Sequence, residues 1–194
     1  IIVSASGNDL YVLSRARLLR FAKSDDGQSW TQAAERELKG DPSIAGVIAV
    51  SGTLVMVSRA EQPIELFDRE TFEPIAEVDL SDRLLPTSVV GMGESRFMLL
   101  TSDARCRIVA PKDSTENGFA LSDCVGPSAV EAITYAPDQR LVYLAHHTDQ
   151  VDMLNADDLV KQREIDPSLS VWRRVDKYLI SPMRFVIPQT GELG

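Results

Sequence analysis

The stretch Ala129 to Ile165, AVEAITYAPDQRLVYLAHHTDQVDMLNADDLVKQREI, decides how the rest of the chain is read. It holds an apolar run, a Pro137-Asp138 turn, a second apolar run, a polar turn, and then an alternating third and fourth run. Short runs rich in Val, Ile, Tyr and Leu, bounded by turn residues, mark strands. Four of them in succession make one small antiparallel sheet.

The same pattern recurs upstream. The first apolar residue after the first turn is Leu141, and Leu10, Leu54 and Phe97 lead up to it at intervals of 44, 43 and 44 residues. The alternating pairs of the third run are Leu19/Phe21, Ile64/Leu66, Cys106/Ile108 and Val151/Met153, at intervals of 45, 42 and 45. Period-two alternation inside a repeat near 44 residues excludes leucine-rich, ankyrin and helical repeats, whose unit lengths or helical patterns differ. The expectation is an all-β chain, a β-propeller of about four four-stranded antiparallel blades over residues 1–166. The blades fall near 1–40, 41–82, 83–126 and 127–166, with a short C-terminal helix and an extended tail over 167–194. Ala33 to Leu38 has helical propensity, which its place in the repeat overrides. Blades one and four each look complete, so either four blades close without a shared strand or the disc holds more blades upstream, and a compact four-blade unit is the preferred expectation. Leu54, Phe97, Leu141, Ile64, Ile108 and Met153 are expected to be buried between blades.

Tyr135-Ala136-Pro137-Asp138-Gln139-Arg140 resembles the turn between the first two strands in WD-repeat and related YVTN-like propellers. Glu65-Leu66-Phe67-Asp68, followed by Thr71, resembles the end of their third strand. Asp103, three residues before Cys106, stands where that family carries a structural turn aspartate. The chain departs from the family in having no Gly-His pair and no Trp at a third-strand end, and in carrying Asn155 where Asp is usual. The resemblance covers residues 1–166 and implies fold; in propellers fold says little about function.

The 20 basic and 29 acidic residues leave a net charge of −9, which repels phosphate backbones and argues against nucleic-acid binding. The longest apolar tract, Ile44 to Val57, is broken by Ser51-Gly52 and falls short of the roughly 20 residues of a membrane span. The chain opens on Ile1-Ile2-Val3 with no start Met or basic leader, which suggests a piece excised from a larger protein.

After Asp166-Pro167 the pattern changes. Trp172, Val175 and Leu179 share one face of a predicted helix over 171–180 that ends at Ser181-Pro182. Arg173, Arg174, Lys177 and Arg184 outnumber Asp176 there, and a basic helix with Trp and Tyr suits a membrane surface, here through 171–184. Packing of the helix against the propeller is the other reading. The final stretch VWRRVDKYLISPMRFVIPQTGELG resembles the membrane-proximal segment of bacterial ABC-transporter permeases of the planctomycete type. That resemblance implies the extramembrane domain of a transporter subunit, membrane-associated through its parent protein.

His146 and His147, the only histidines, invite a metal reading together with Asp149 and Asp152. Adjacent strand residues point to opposite faces, and His147 with Asp149 would supply two ligands where a transition metal needs three or four. A structural role is the preferred reading, and no metal or cofactor is expected. No G-x-S-x-G elbow and no Walker A loop are present, and Gly91-Met92-Gly93 lacks the third glycine of a dinucleotide loop. Trp30 reads equally as a ligand contact or as blade packing. Cys106 and Cys124 lie opposite each other if the last two strands of blade three form a hairpin centred on Thr115. At a non-hydrogen-bonded pair their Cα separation of about 4.5–5.5 Å would fit a disulfide. Two buried thiols are the alternative. A bridge would place the domain outside the cytoplasm, on the periplasmic side. Two function classes remain: a non-catalytic protein-interaction or scaffold propeller, and a propeller enzyme or small-ligand domain with a central-channel site. Two histidines on one blade favour the first.

Overall fold

In the computed structural model, which describes residues 2–40, 46–80, 84–112, 118–124, 129–146 and 150–165, the repeat becomes four separate sheets. Blade one is β1 (Ile2–Ser6), β2 (Asp9–Ser14), β3 (Arg17–Lys23) and β4 (Trp30–Glu37). Blade two is β5 (Gly46–Ser51), β6 (Leu54–Arg59), β7 (Ile64–Asp68) and β8 (Pro74–Val78). Blade three comprises β9 (Pro86–Met92), β10 (Arg96–Thr101), β11 (Cys106–Pro111) and β12 (Phe119–Asp123). Blade four comprises β13 (Val130–Ala136), β14 (Leu141–His146), β15 (Val151–Asn155) and β16 (Lys161–Ile165). Every sheet is an up-and-down antiparallel meander in which each strand pairs with the next along the chain. The β-propeller expected from the repeat is therefore the observed architecture. The helical propensity of 33–38 is overridden as expected, because pairing with β3 holds this stretch as β4.

The predicted C-terminal helix and tail, with the membrane-facing segment 171–184, lie outside the described residues. So do His147 and Asp149 of the metal reading.

Tight turns set the pleat. In the turn after β7, Asp68 Oδ1 accepts hydrogen bonds from the Glu70 N–H (2.9 Å), the Thr71 N–H (2.8 Å) and the Thr71 hydroxyl (2.9 Å). The Phe72 N–H returns to the Asp68 carbonyl at 3.0 Å. In blade four Asn155 does the same work: its Oδ1 accepts the Asp157 N–H at 2.8 Å, and the Leu159 N–H returns to its carbonyl at 2.9 Å. Departing from Asp at this position leaves the turn intact, since the turn needs only a short side chain carrying an oxygen.

The strand faces form three apolar layers, one between each pair of consecutive blades. Tyr11, Leu13 and Leu18 meet Val55, Val57 and Phe67 between blades one and two. Leu54, Met56 and Leu66 meet Phe97, Leu99 and Val109 between two and three. Met98, Leu100 and Ile108 meet Val142, Leu144 and Leu154 between three and four. The innermost strands of blades two and three approach closely. A Cβ on Gly91 would fall 1.9 Å from the Val50 carbonyl oxygen, so only glycine fits there. The Ser51 hydroxyl ties the same seam by donating toward the Met92 carbonyl at 3.1 Å and the Gly93 carbonyl at 3.0 Å.

The layers correct two expectations. A closed ring of four blades would have four such layers, but among the described residues blades one and four share no comparable packing. The described residues of the four blades thus form an open arc. The second-strand row also divides: Leu10 and Phe97 belong to faces toward the preceding blade, and Leu54 and Leu141 to faces toward the following one. The matching residues are instead Leu10, Val55, Phe97 and Val142, at the same 45, 42 and 45 spacing as the third strand. Leu54, Phe97, Ile64 and Ile108 are buried as expected. Leu141 and Met153 are only half-buried, on the side of blade four away from blade three, where Tyr143 and Val151 are buried.

Cys106 and Cys124 form a disulfide with a Cα–Cα separation of 5.4 Å. The Arg107–Asp123 pairing confirms the expected register. The Cys124 N–H donates to the Cys106 carbonyl at 3.0 Å, so the bridge spans a hydrogen-bonded position rather than the expected non-hydrogen-bonded one. The separation matches the wider of the two antiparallel spacings, about 5.5 Å.

Candidate interaction surface

The titratable side chains inside the fold serve as ties between strands and blades. Asp152, on β15, is buried with its Oδ2 3.2 Å from His146 Nε2 and its Oδ1 2.7 Å from Lys161 Nζ. Lys161 also reaches Glu164 at 2.7 Å, and these two carboxylates hold the lysine above its ordinary pKa, Asp152 more than Glu164. Asp152 Oδ1 is thus committed to an ammonium that repels a metal cation, while His146 Nε2 is buried without a hydrogen bond among the described residues. Among the described residues no group of three or more His, Cys, Asp or Glu side chains could hold a metal ion.

Arg69 forms the second tie, and sequence reasoning missed it. From the turn of blade two it reaches across to blade one, donating to the Tyr11 hydroxyl (2.7 Å), Asp9 Oδ2 (3.1 Å) and the Ser6 carbonyl (3.4 Å). It also donates within its own blade to the Gly52 carbonyl at 3.2 Å. Burial pushes the Tyr11 hydroxyl pKa up, with Arg69 opposing the shift. The third tie is Asp103. It accepts from both terminal nitrogens of Arg107 at 2.9 and 2.7 Å and from the Thr101 hydroxyl at 2.7 Å. These bonds, that from Arg107 foremost, hold its carboxyl well below the usual carboxylate range. Asp103 is thus a structural turn residue, as the resemblance implied.

What the arc leaves open is an apolar face. On blade one the register aligns Val3 with Val12 and Val12 with Leu19, and beside that row Ala5 with Leu10 and Leu10 with Phe21. These residues lie opposite Tyr11, Leu13 and Leu18, which face blade two. Val3 is 52% exposed, and Leu10, Val12, Leu19 and Phe21 are half-buried. One sequence signal could have found this face. The run Leu10-Tyr11-Val12-Leu13 is apolar at every position, the pattern of a strand covered on both sides. Its counterparts in β6 and β10, Leu54 to Val57 and Phe97 to Leu100, are buried at every position. In β2 burial alternates, because only one side is covered.

Near the outer strands, a shallow cleft between blades one and two is lined by Arg36, Lys39, Glu65, Phe67 and Glu77 among others. The Arg36 guanidinium sits 5.2 Å from the centre of the Phe67 ring and donates to the Phe72 carbonyl at 2.8 Å. Trp30, at the start of β4, is 45% exposed.

The class defined by this architecture is the β-propeller, and comparison with solved structures agrees. BamB from Moraxella catarrhalis superposes with a TM-score of 0.59 at 11% identity, over 85% of this chain and 47% of its own. The computationally designed Ika8 protein gives 0.57 at 14% identity, over 84% and 48%. The β-propeller domain of Myceliophteria thermophila Cps50 (Swd1) gives 0.59 at 13% identity, over 85% and 54%. This chain therefore spans about half the length of each, and at these identities the likeness is one of fold. No protein-family model and no curated protein matches the sequence.

Proposed function

We propose that this chain is a non-catalytic interaction module, an arc of propeller blades that presents an apolar blade face to protein partners. The observation that carries the reading is the row Val3, Val12 and Leu19 with its neighbours Leu10 and Phe21, built to be covered and left uncovered by the described residues. A contiguous apolar patch on a sheet face is a common mark of a protein-interaction site. The ionisable groups within the fold support the same reading, because Asp152, Asp103 and Arg69 are all engaged in holding strands together.

The Cys106–Cys124 bridge supports an oxidising compartment such as the periplasm, where such bonds persist. Among the described residues no helix is long and apolar enough to cross a membrane. The finer reading, the extramembrane part of a bacterial ABC-type transporter permease, is supported by the sequence resemblance over 171–194 alone.

The test is a photo-crosslinking residue placed at Leu19, with Glu73 on an exposed turn as control, in cells that make the protein. A discrete protein adduct at Leu19 and none at Glu73 is expected. Absence of any adduct at Leu19 would overturn the proposal.

A further inference from the structure

The Cys106–Cys124 bridge lies where the chain leaves blade three for blade four. Cys124 directly follows β12, the outermost and most exposed strand of blade three, and only the four residues 125–128 separate it from Ala129. The far end of this crossing is also tied to blade three, since the Ala129 and Val130 N–H groups both donate to the Ala104 carbonyl, at 3.0 and 2.9 Å. Ala104 stands in the turn that Arg107 holds through Asp103, two residues before Cys106. Both ends of the crossing are therefore fastened to the stretch 104–106, one by hydrogen bonds and the other by the bridge. Cys106 is buried in the apolar layer between blades three and four with Val130, Ile133 and Val142, and the half-buried Cys124 packs against that layer. Apart from the bridge, the end of β12 is held by the Cys124 N–H to Cys106 carbonyl bond at 3.0 Å and by the exposed Asp123, 3.5 Å from Arg107 Nε. One hydrogen bond and one exposed ion pair are each weak in net terms, so the covalent link dominates at this end.

We propose that the bridge is a redox-controlled clasp on this junction: cutting it leaves each sheet paired but loosens the seating of blade four on blade three. The agent is a dithiol reductant. Its first thiolate attacks Sγ of Cys124, the more exposed partner, the Cys106–Cys124 bond breaks, and Cys106 leaves as a thiolate that takes up a proton. The second thiolate of the reductant then displaces Cys124 from the mixed disulfide, so that the reductant ends as a disulfide and the chain carries two thiols. The Cys106 thiol stays in the layer as a small apolar side chain, which keeps the pair in place for the bond to form again. The crossing meanwhile gains conformational freedom that docking must take away, and the balance shifts toward a blade four that exposes Val142, Leu144 and Leu154. The clasp is independent of the open face of blade one.

The experiment is hydrogen–deuterium exchange read by peptide mass spectrometry on the native chain, oxidised and after treatment with about 10 mM dithiothreitol, with thiols counted by alkylation. Reduction without denaturant is expected, together with exchange at least about 10-fold faster in β13 and β14 and unchanged in β5 and β6. The double variant Cys106→Ala, Cys124→Ala gives the same comparison if the reduced protein aggregates. A bridge that dithiothreitol leaves intact in the native protein overturns the proposal, as does exchange that reduction leaves unaltered throughout. Acceleration confined to β12 overturns it too, because the bridge would then serve only its own hairpin, and so does equal acceleration across all four sheets, the mark of a general stabiliser.

Discussion

At the scale of single residues, Asp103 shows how a turn aspartate acts through its charge. Its folded pKa is depressed, chiefly by the Arg107 hydrogen bonds, so its contribution is fully present above the unfolded value of about 4 and is lost as pH falls through the folded value. Asp103→Asn should lower stability at pH 7 by about 1–3 kcal/mol, and the gap to wild type should narrow as pH drops below about 4. Urea melts of both proteins at pH 7 and at about pH 2.5 check this, and a gap of unchanged size would contradict it. Gly91 acts through space alone. Gly91→Ala sets a methyl against the Val50 carbonyl, a backbone atom that cannot swing aside, and should cost at least about 1–3 kcal/mol in the same assay. Asp103 was legible in the sequence because a turn motif names it. Gly91 was not, since its constraint comes from a strand about forty residues away.

Among elements, the strands were legible and their faces less so. Four apolar runs per repeat locate β1 to β16 to within a few residues, but a run such as Leu10 to Leu13, apolar throughout, does not say which residue turns toward which neighbour. Hence the slipped row: Leu54 and Leu141 open β6 and β14, whereas Leu10 and Phe97 are the second residues of β2 and β10, after Asp9 and Arg96, so the first apolar residue of the second strand falls on alternate faces. The consequence is measurable. Phe97→Ala, at a fully buried position, should cost about 3–5 kcal/mol. Leu141→Ala, half-buried beyond the last layer, should cost clearly less, about 1 kcal/mol. The hairpin of β11 and β12 offers a second check. Denatured, unreduced protein should show no titratable thiol, and Cys124→Ser should lower stability by about 2–4 kcal/mol.

For the whole molecule the arrangement is a line of blades, each resting on its neighbours, so stability is expected to be graded along it. Among the described residues blades two and three are covered on both sides and blade one on one side only. The amides of β2 and β3 should exchange with deuterium well before those of β6 and β10, read by mass spectrometry of peptides; uniform protection across all four sheets would contradict a graded array. The open arc escaped the sequence because each repeat looks complete in itself, and whether a ring closes depends on the small rotation between blades, which no residue pattern spells out. One feature of that line distinguishes its members. Arg69 leaves blade two for the carboxylate of Asp9, the hydroxyl of Tyr11 and the carbonyl of Ser6, a set of acceptors belonging to blade one. The position of Asp9 in its hairpin, directly opposite Ser6, is held in blade two by Leu54 opposite Ser51. The repeats are thus no longer interchangeable parts. A gene in which the first and second copies were exchanged would encode the same pleats and turns, yet would leave the Arg69 guanidinium only its own blade's Gly52 carbonyl, so these contacts fix the two blades in one order.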